Sequence, residues 1–151
     1  MSDNIAASAK VLFTREQIEE RAAQLGKQIS DDYAGESLYL IGTLRGAVVW
    51  MADLMKNITN DTEIDFIVAS SYGSGTTSTG LVSIKYLKEH LADRNPKSIR
   101  ICTLLDKPSR RTVDIEADYV GFSIENLFVI GYGLDYDQKY RNLPYISYLE
   151  G

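Results

Sequence analysis

Short apolar runs alternate with helical stretches along the first two-thirds of the chain, and this order constrains the fold more than any other feature. A capping box at 14–17, followed by apolar residues at helical spacing, predicts a helix over about 15–31. Apolar runs at 38–41 and 63–70 predict strands, and the stretch 47–58 between them predicts a helix. Strands separated by helices form parallel sheets, so we predict an α/β fold with a mostly parallel central sheet flanked by helices.

The rest of the chain continues this pattern and ends in strands. A helix is predicted at 82–94, where the apolar residues share one face. Further strand-like runs follow at 119–124, 128–132 and 145–149. A chain of 151 residues is long enough to bury a hydrophobic core without disulfides or structural metals, and no linker divides it. We therefore predict a single domain that spans 1–151.

Composition excludes several classes of function. The chain has 21 acidic and 16 basic residues, and its net charge of −5 argues against nucleic acid as the main partner. One cysteine, Cys102, and one histidine, His90, leave no cluster for zinc, so any metal is expected to be bound by oxygen. Residues 1–10 carry no apolar leader, and no apolar stretch has membrane length. We expect a cytoplasmic protein that does not enter a membrane.

One apolar run, 98–105, stops at Asp106, Lys107 and Pro108. The run is rich in large apolar residues and too short for a helix, so it predicts a buried strand that ends before the proline. In open α/β sheets, ligands bind beyond the carboxyl ends of the strands. Lys107 is therefore placed where it could meet a small polar ligand, although Asp-Lys-Pro is also typical of an ordinary solvated turn.

Two loops after predicted strands have the composition of ligand-binding segments. The loop 43–46 places Arg45 and Gly46 between a strand end and a helix start, where backbone N–H groups and the helix dipole favour an anion such as phosphate. The alternative is that Gly46 only lets the chain turn. The Ser/Thr/Gly-rich loop 70–80 is either an inert loop or a lid that closes over substrate.

The segment 128–141 combines an aromatic residue, a carboxylate and a guanidinium group around a glycine-rich turn. Phe128 could stack on a flat heterocycle, Asp135 could bind a hard cation, and Arg141 could grip a phosphate with two hydrogen bonds. Alternatively, Phe128 belongs to the core, and Asp135 and Arg141 form an ordinary surface pair. The residues alone leave both interpretations open.

Together these stretches resemble the hypoxanthine-guanine phosphoribosyltransferases, over nearly the whole chain and in the order of that family. The resemblance is carried by Leu44-Arg-Gly46, Ser71-Tyr72 at the start of the Ser/Thr/Gly loop, the stretch 94–108 that ends in Asp-Lys-Pro, Phe128-Val-Ile-Gly-Tyr-Gly-Leu-Asp135, and Tyr140-Arg-Asn-Leu-Pro144. It implies the fold of the type I phosphoribosyltransferases, with a small C-terminal hood beside the central sheet.

The resemblance also implies a purine site and a lid. Lys107 would bond the exocyclic oxygen of a 6-oxopurine, Phe128 would stack on the base, and the backbone of Val129 would read its other edge. Ser71 and Tyr72 would belong to the lid.

A second group of residues is implied to bind pyrophosphate. Leu44, Arg45 and Gly46 would hold this group together with Arg141. Asp135 would lie near a magnesium ion, so the resemblance implies Mg²⁺ as the cofactor.

The chain departs from the family in one place. Family members carry, between the lid and the next helix, a returning strand and a central strand that ends in two acidic residues, two apolar residues, Asp, Thr or Ser, and Gly. That segment grips the ribose phosphate and supplies the aspartate usually assigned as the catalytic base. Here Gly80 runs directly into Leu81, which resembles the start of the following helix. The catalytic residue is therefore unknown, and the segment is either truly deleted or absent only from the sequence as written.

The function implied by the resemblance is purine salvage. Hypoxanthine or guanine displaces pyrophosphate from phosphoribosyl pyrophosphate, and a homodimer or homotetramer is expected. One alternative is a purine- or nucleotide-binding module on the same fold that has lost catalysis. Another is a shortened, inactive form of the enzyme.

Overall fold

The computed structural model describes residues 5–68, 87–110 and 116–150. The chain divides into two compact units, the first formed by Met1–Val68 with Leu127–Gly151 and the second by Ala69–Asn126. That residues 1–151 form one domain stays a prediction.

The described elements follow one another in the order predicted, with two short additions near the start of the chain. They are α1 (Ile5–Ser8), β1 (Lys10–Phe13), α2 (Arg15–Asp32), β2 (Leu38–Leu44), α3 (Val48–Met55), β3 (Thr62–Val68), α4 (87–92), β4 (Cys102–Asp106), a 3₁₀ turn (Pro108–Arg110), β5 (Tyr119–Ser123), β6 (Phe128–Ile130) and β7 (Ile146–Leu149). The second unit holds α4, β4, the 3₁₀ turn and β5, and the first unit holds the others.

The capping box predicted for α2 is present. The Thr14 hydroxyl accepts a hydrogen bond from the Gln17 N–H at 3.2 Å, and the Thr14 N–H donates to the Gln17 side chain at 2.8 Å. The helix buries the predicted apolar stripe, including Ile18, Leu25 and Ile29. Local sequence therefore determines both where α2 begins and which face it buries.

Strands β2 and β3 pair in parallel along their whole length, from their first residues to Leu44 beside Val68. Helix α3 packs against one face of this pair at Gly42, where an added Cβ would overlap the Met51 sulfur. Helix α3 ends at Met55, three residues before the predicted end. The carboxyl end of β2 thus leads through a three-residue loop into α3, which places residues 45–47 at the sheet's edge.

A separate antiparallel sheet has the strand order β1-β7-β6. Ile130 of β6 and Ile146 of β7 are fully buried and form its core. The sequence predicts β6 and β7 but not β1, because the apolar triplet at 11–13 is too short to show a strand period. Strand β6 lies at one edge of this sheet, and the C-terminal strands match the predicted hood.

In the second unit, β4 and β5 pair in parallel from Cys102 beside Tyr119 to Asp106 beside Ser123. The prediction that this apolar run forms a buried strand is wrong in part, because β4 begins only at Cys102 and each of its residues is half-buried. Among the described residues, β5 is the one strand that pairs with β4. Full burial of a parallel strand needs neighbours and both faces covered.

The α/β class is confirmed, with parallel strand pairs and helices in the described ranges. These ranges show two parallel pairs, β2–β3 and β4–β5, where the sequence predicts one central sheet. No helix within the described ranges is both long and apolar enough to cross a membrane.

Candidate functional site

The loop predicted to bind an anion lies between β2 and α3. Leu44 is the last residue of β2, and the Leu44–Arg45 peptide bond is cis. The Arg45 carbonyl accepts a hydrogen bond from the Val48 N–H at 3.2 Å, which closes the loop onto the first turn of α3. The Arg45 side chain is exposed, and Gly46 is half-buried beside it.

Two consecutive tight turns shape the segment 131–141 that follows β6. Each is a two-residue turn closed by paired backbone hydrogen bonds of 2.9–3.0 Å, the first over 131–134 and the second over 136–139. The central residues have φ values of 52° and 92° in the first turn and 51° and 64° in the second. Positive φ at both central residues is the mark of a type I′ turn. The two turns place Asp135 between them.

Asp135 is held by neighbours on both sides. One carboxylate oxygen accepts from the Gln138 N–H at 2.8 Å, and the other lies 3.4 Å from Nη2 of Arg141. The side chains of Asp135 and Arg141 are 30% and 26% exposed. The pair predicted from the sequence therefore exists, and it is partly enclosed.

Gln138 connects the two arginines that the sequence assigns to phosphate. Its Oε1 accepts hydrogen bonds from Nη1 of Arg45 and Nη2 of Arg141, each at 3.1 Å. Nη1 of Arg141 also donates to the Gly133 carbonyl at 2.6 Å. The structure thus brings Arg45, Asp135 and Arg141 together around a neutral acceptor that the sequence did not single out.

The two loops approach closely at a pair of glycines. A Cβ added to Gly133, which has φ +92°, would overlap the Gly46 carbonyl oxygen. A Cβ on Gly46 would lie 3.6 Å from the Gly133 carbonyl oxygen and 3.8 Å from Nη1 of Arg141. The backbone contact at Gly133 therefore requires glycine both for its conformation and for its space.

Phe128 is half exposed, so the alternative that it is a core residue is wrong. Its ring meets that of Tyr136 edge to face, with centroids 5.7 Å apart and an interplanar angle of 81°. The next residue, Val129, lies in β6, the edge strand of the antiparallel sheet, and pairs with Tyr148 of β7. An exposed aromatic ring beside an edge backbone is suited to stacking and hydrogen bonding with a flat heterocycle.

Tyr132 is a further residue that the sequence did not single out. It is 3% exposed, and its hydroxyl donates to Oδ2 of Asp53 in α3. Burial, and after it the hydrogen bond to Asp53, raises the pKa of Tyr132 well above the ordinary value for tyrosine. The contact links residues 79 positions apart, a separation at which the sequence offers no local signal.

The remaining predicted site residues lie elsewhere. Lys107 belongs to the second unit, where it follows β4 directly, is half-buried and precedes the 3₁₀ turn. Ser71 and Tyr72, predicted for the lid, lie outside the described residues, as do Gly80 and Leu81.

Comparisons with known proteins show the family to which the chain belongs. The family model described as phosphoribosyl transferase domain matches residues 78–137. A hypoxanthine-guanine phosphoribosyltransferase from Streptococcus mutans is 43% identical, covering 93% of this chain and 93% of its own length.

Solved structures give the same result. A hypoxanthine phosphoribosyltransferase from Staphylococcus aureus is 40% identical with a TM-score of 0.90, covering 99% of this chain and 96% of that one. A hypoxanthine-guanine phosphoribosyltransferase from Bacillus anthracis is 40% identical with a TM-score of 0.87, covering 93% of this chain and 98% of that one. The family predicted from the sequence is confirmed: this chain belongs to the hypoxanthine-guanine phosphoribosyltransferases.

Proposed function

We propose that this protein transfers the phosphoribosyl group of phosphoribosyl pyrophosphate to hypoxanthine or guanine, in purine salvage. A purine ring nitrogen forms a bond to ribose C1 and releases its proton to solvent, while the bond from C1 to the pyrophosphate oxygen breaks and its electron pair leaves with pyrophosphate. The products are the purine nucleotide and pyrophosphate. The observation that carries the proposal is the convergence of Arg45 and Arg141 on one acceptor, Gln138, beside the carboxylate of Asp135.

The arginines would act on the leaving group. Negative charge grows on pyrophosphate as the bond to C1 breaks, so donors fixed at that position stabilise the transition state more than the bound substrate. Guanidinium groups suit this role because they are always charged and match phosphate geometry. We assign Arg45 and Arg141 to pyrophosphate, together with the backbone of Leu44 and Gly46 in the same loop.

Magnesium fits the same end of the site. Mg²⁺ is commonly bound through one or two carboxylates, with substrate phosphates and water as its other ligands. Asp135 offers one carboxylate, and the described ranges contain no cluster of three or more acidic, histidine or cysteine side chains that could cage a metal. When bound, the ion would neutralise charge on the pyrophosphate group. Asp135 is the residue that we assign to hold it.

The purine would use the other three assigned residues. Phe128 presents an exposed ring on which a base can stack. Val129 offers backbone groups on an edge strand, and the Lys107 ammonium can donate to an exocyclic oxygen but cannot accept from an amino group. This donor-only chemistry favours a 6-oxopurine over a 6-aminopurine.

One feature favours a second candidate, a purine- or nucleotide-binding module that has lost catalysis. The alignment with the relative from Streptococcus mutans runs over 167 positions, more than the 151 residues of this chain, so it contains positions at which this chain has no residue. If the absent segment carries the catalytic base, the chain as written binds substrates but turns them over about a hundredfold to ten-thousandfold more slowly.

Three further assignments belong to this proposal. The protein acts in the cytoplasm, it forms a homodimer or homotetramer, and Ser71 and Tyr72 act as part of a lid. None of these assignments is needed for the chemistry at Arg45, Asp135 and Arg141.

The test is pyrophosphate release on mixing the protein with guanine, phosphoribosyl pyrophosphate and Mg²⁺. Release that requires the purine supports the transferase. Release that is independent of purine would indicate hydrolysis of the donor and would overturn the transfer reaction. Measurable purine binding without any release would favour the binding module.

A further inference from the structure

We propose that Tyr132 is a positioning residue, which ties the segment 131–141 to α3 and thereby holds Arg141 opposite Arg45. The tie is the hydrogen bond from the Tyr132 hydroxyl to Oδ2 of Asp53. The inference rests on the proposed function only for the identity of the anion that the two arginines bind.

The conformation of Tyr132 indicates that its side chain is needed where it lies. Its φ of 52° is in the left-handed region, which residues other than glycine, asparagine and aspartate seldom occupy. It is nevertheless buried, with 3% of its surface exposed, at the centre of the first type I′ turn. A tyrosine held in this conformation directs its hydroxyl to α3, which the residue types usual in such turns could not reach.

On one side, the tyrosine is coupled to Arg141 through the neighbouring backbone. The Tyr132 N–H donates to the Leu143 carbonyl at 2.8 Å, and the Gly133 N–H donates to the Arg141 carbonyl at 2.9 Å. The Gly133 carbonyl in turn accepts from Nη1 of Arg141 at 2.6 Å. A displacement of Tyr132 would move Gly133, and with it the guanidinium group of Arg141.

On the other side, the partner carboxylate belongs to a firmly packed helix. Trp50, Met51 and Leu54 of α3 are 5–7% exposed, and Asp53 projects from the helix with 31% of its side chain exposed. Lys56 lies 3.6 Å from the other oxygen of Asp53. Because α3 follows the loop 45–47 directly, Asp53 is fixed relative to Arg45. The Tyr132–Asp53 hydrogen bond therefore connects the segment 131–141, which carries Arg141, to the helix that follows Arg45.

The test compares binding of pyrophosphate with Mg²⁺ and binding of hypoxanthine, each by calorimetry. Tyr132→Phe removes the hydroxyl and keeps the ring, and Asp53→Ala removes the acceptor. We expect each variant to weaken pyrophosphate binding about tenfold or more, by the loss of one hydrogen bond to a charged group, and to leave hypoxanthine binding within about twofold. Asp53→Asn keeps an acceptor oxygen and should restore most of the pyrophosphate affinity. In the double variant Tyr132→Phe/Asp53→Ala, the two losses should not add.

Tyr119→Phe is the matched control. Tyr119 is 4% exposed and its hydroxyl accepts from Arg100 at 2.7 Å, but it lies at the start of β5 in the second unit. This variant should lose stability and leave pyrophosphate binding unchanged. Unchanged pyrophosphate binding in Tyr132→Phe, or equal losses for both ligands, would overturn the positioning role. A wild-type protein that binds pyrophosphate but forms no nucleotide would instead overturn the proposed function alone.

Discussion

Arg45 precedes α3 and Arg141 follows β6, yet both donate to the same oxygen, Oε1 of Gln138, each at 3.1 Å. Gln138 is neutral, so an anion that replaces its oxygen as the shared acceptor would gain charge-assisted hydrogen bonds from both guanidinium groups. The arrangement gives the pyrophosphate assignment a specific geometry that substitutions can test.

Arg141→Ala should weaken pyrophosphate binding while leaving free purine binding nearly intact. The guanidinium group matches phosphate geometry, whereas the purine contacts are assigned to Phe128 and Val129. The loss of one charge-assisted contact is worth about 1.5–3 kcal/mol. Calorimetry with each ligand measures it. Arg15→Ala, which removes an exposed arginine paired with Glu19, is the control, and a larger loss for purine than for pyrophosphate would refute the assignment.

Lys107→Ala should weaken the binding of 6-oxopurines more than the binding of 6-aminopurines. The ammonium group can only donate, so its loss should weaken 6-oxopurine binding by about 1.5–3 kcal/mol and change 6-aminopurine binding little. Titrations of hypoxanthine and adenine into both proteins provide the comparison. Lys27→Ala removes an exposed lysine that pairs with Asp31 on α2 and should change neither affinity. Equal losses of affinity for hypoxanthine and adenine would show that Lys107 does not contact the exocyclic oxygen of the base.

Gly133→Ala should destabilise the protein more than Gly35→Ala. Both glycines have positive φ, at 92° and 80°, so each substitution carries the conformational cost of roughly 1–2 kcal/mol. Only at Gly133 would the new Cβ also overlap a backbone atom, the Gly46 carbonyl oxygen, while at Gly35 nothing lies within 4 Å. We expect an additional loss of about 1–3 kcal/mol for Gly133→Ala in denaturant unfolding. Equal losses would show that the two loops do not make this contact.

The hydroxyl of Tyr132 predicts a pH dependence of stability at alkaline pH. Its pKa is raised in the folded state, so its contribution to stability is complete below the unfolded value of about 10 and declines as the pH rises above that value. The wild type should therefore lose up to about 1.4 kcal/mol more per pH unit above pH 10 than Tyr132→Phe does. Unfolding free energies measured from pH 8 to 11 give the two slopes. Parallel curves would mean that Tyr132 is not buried as a neutral phenol.

The sequence predicts those parts of the site that depend on residue type and local position. Leu44 ends a strand, Arg45 and Gly46 lie between it and a helix, and Asp135 and Arg141 follow a glycine-rich turn. Each could therefore be proposed from its neighbours in the chain. The fold class and α2 were predictable for the same reason, because a capping box and a helical stripe are local patterns.

The sequence does not predict contacts between residues that lie far apart in the chain. Gln138 carries no motif of its own, and it matters only because the fold brings Arg45 to it. The bond between Tyr132 and Asp53 joins residues 79 positions apart. The burial of β4 was predicted wrongly. An apolar run indicates that a strand favours burial, but it does not show which elements pack against that strand.

The junction between Gly80 and Leu81 can be tested by peptide mapping. If the missing family segment is truly deleted, trypsin digestion of the protein isolated from its natural source should give one peptide, 57–85, in which Leu81 follows Gly80 directly. Additional residues between Gly80 and Leu81 would show that the segment is present in the molecule, and with it the acidic residues expected to grip the ribose and act as base. In a true deletion, the loss of the base alone should slow the reaction about a hundredfold to ten-thousandfold.

Mass spectrometry of a reaction mixture tests directly whether this protein makes a purine nucleotide. The protein is incubated with hypoxanthine, phosphoribosyl pyrophosphate and Mg²⁺, and the mixture is analysed for the base, the nucleotide and pyrophosphate. Hypoxanthine should be converted to its nucleoside monophosphate with equimolar pyrophosphate, and Arg141→Ala should slow this conversion. Hypoxanthine that stays unmodified, beside a protein that still binds it, would contradict the transferase function.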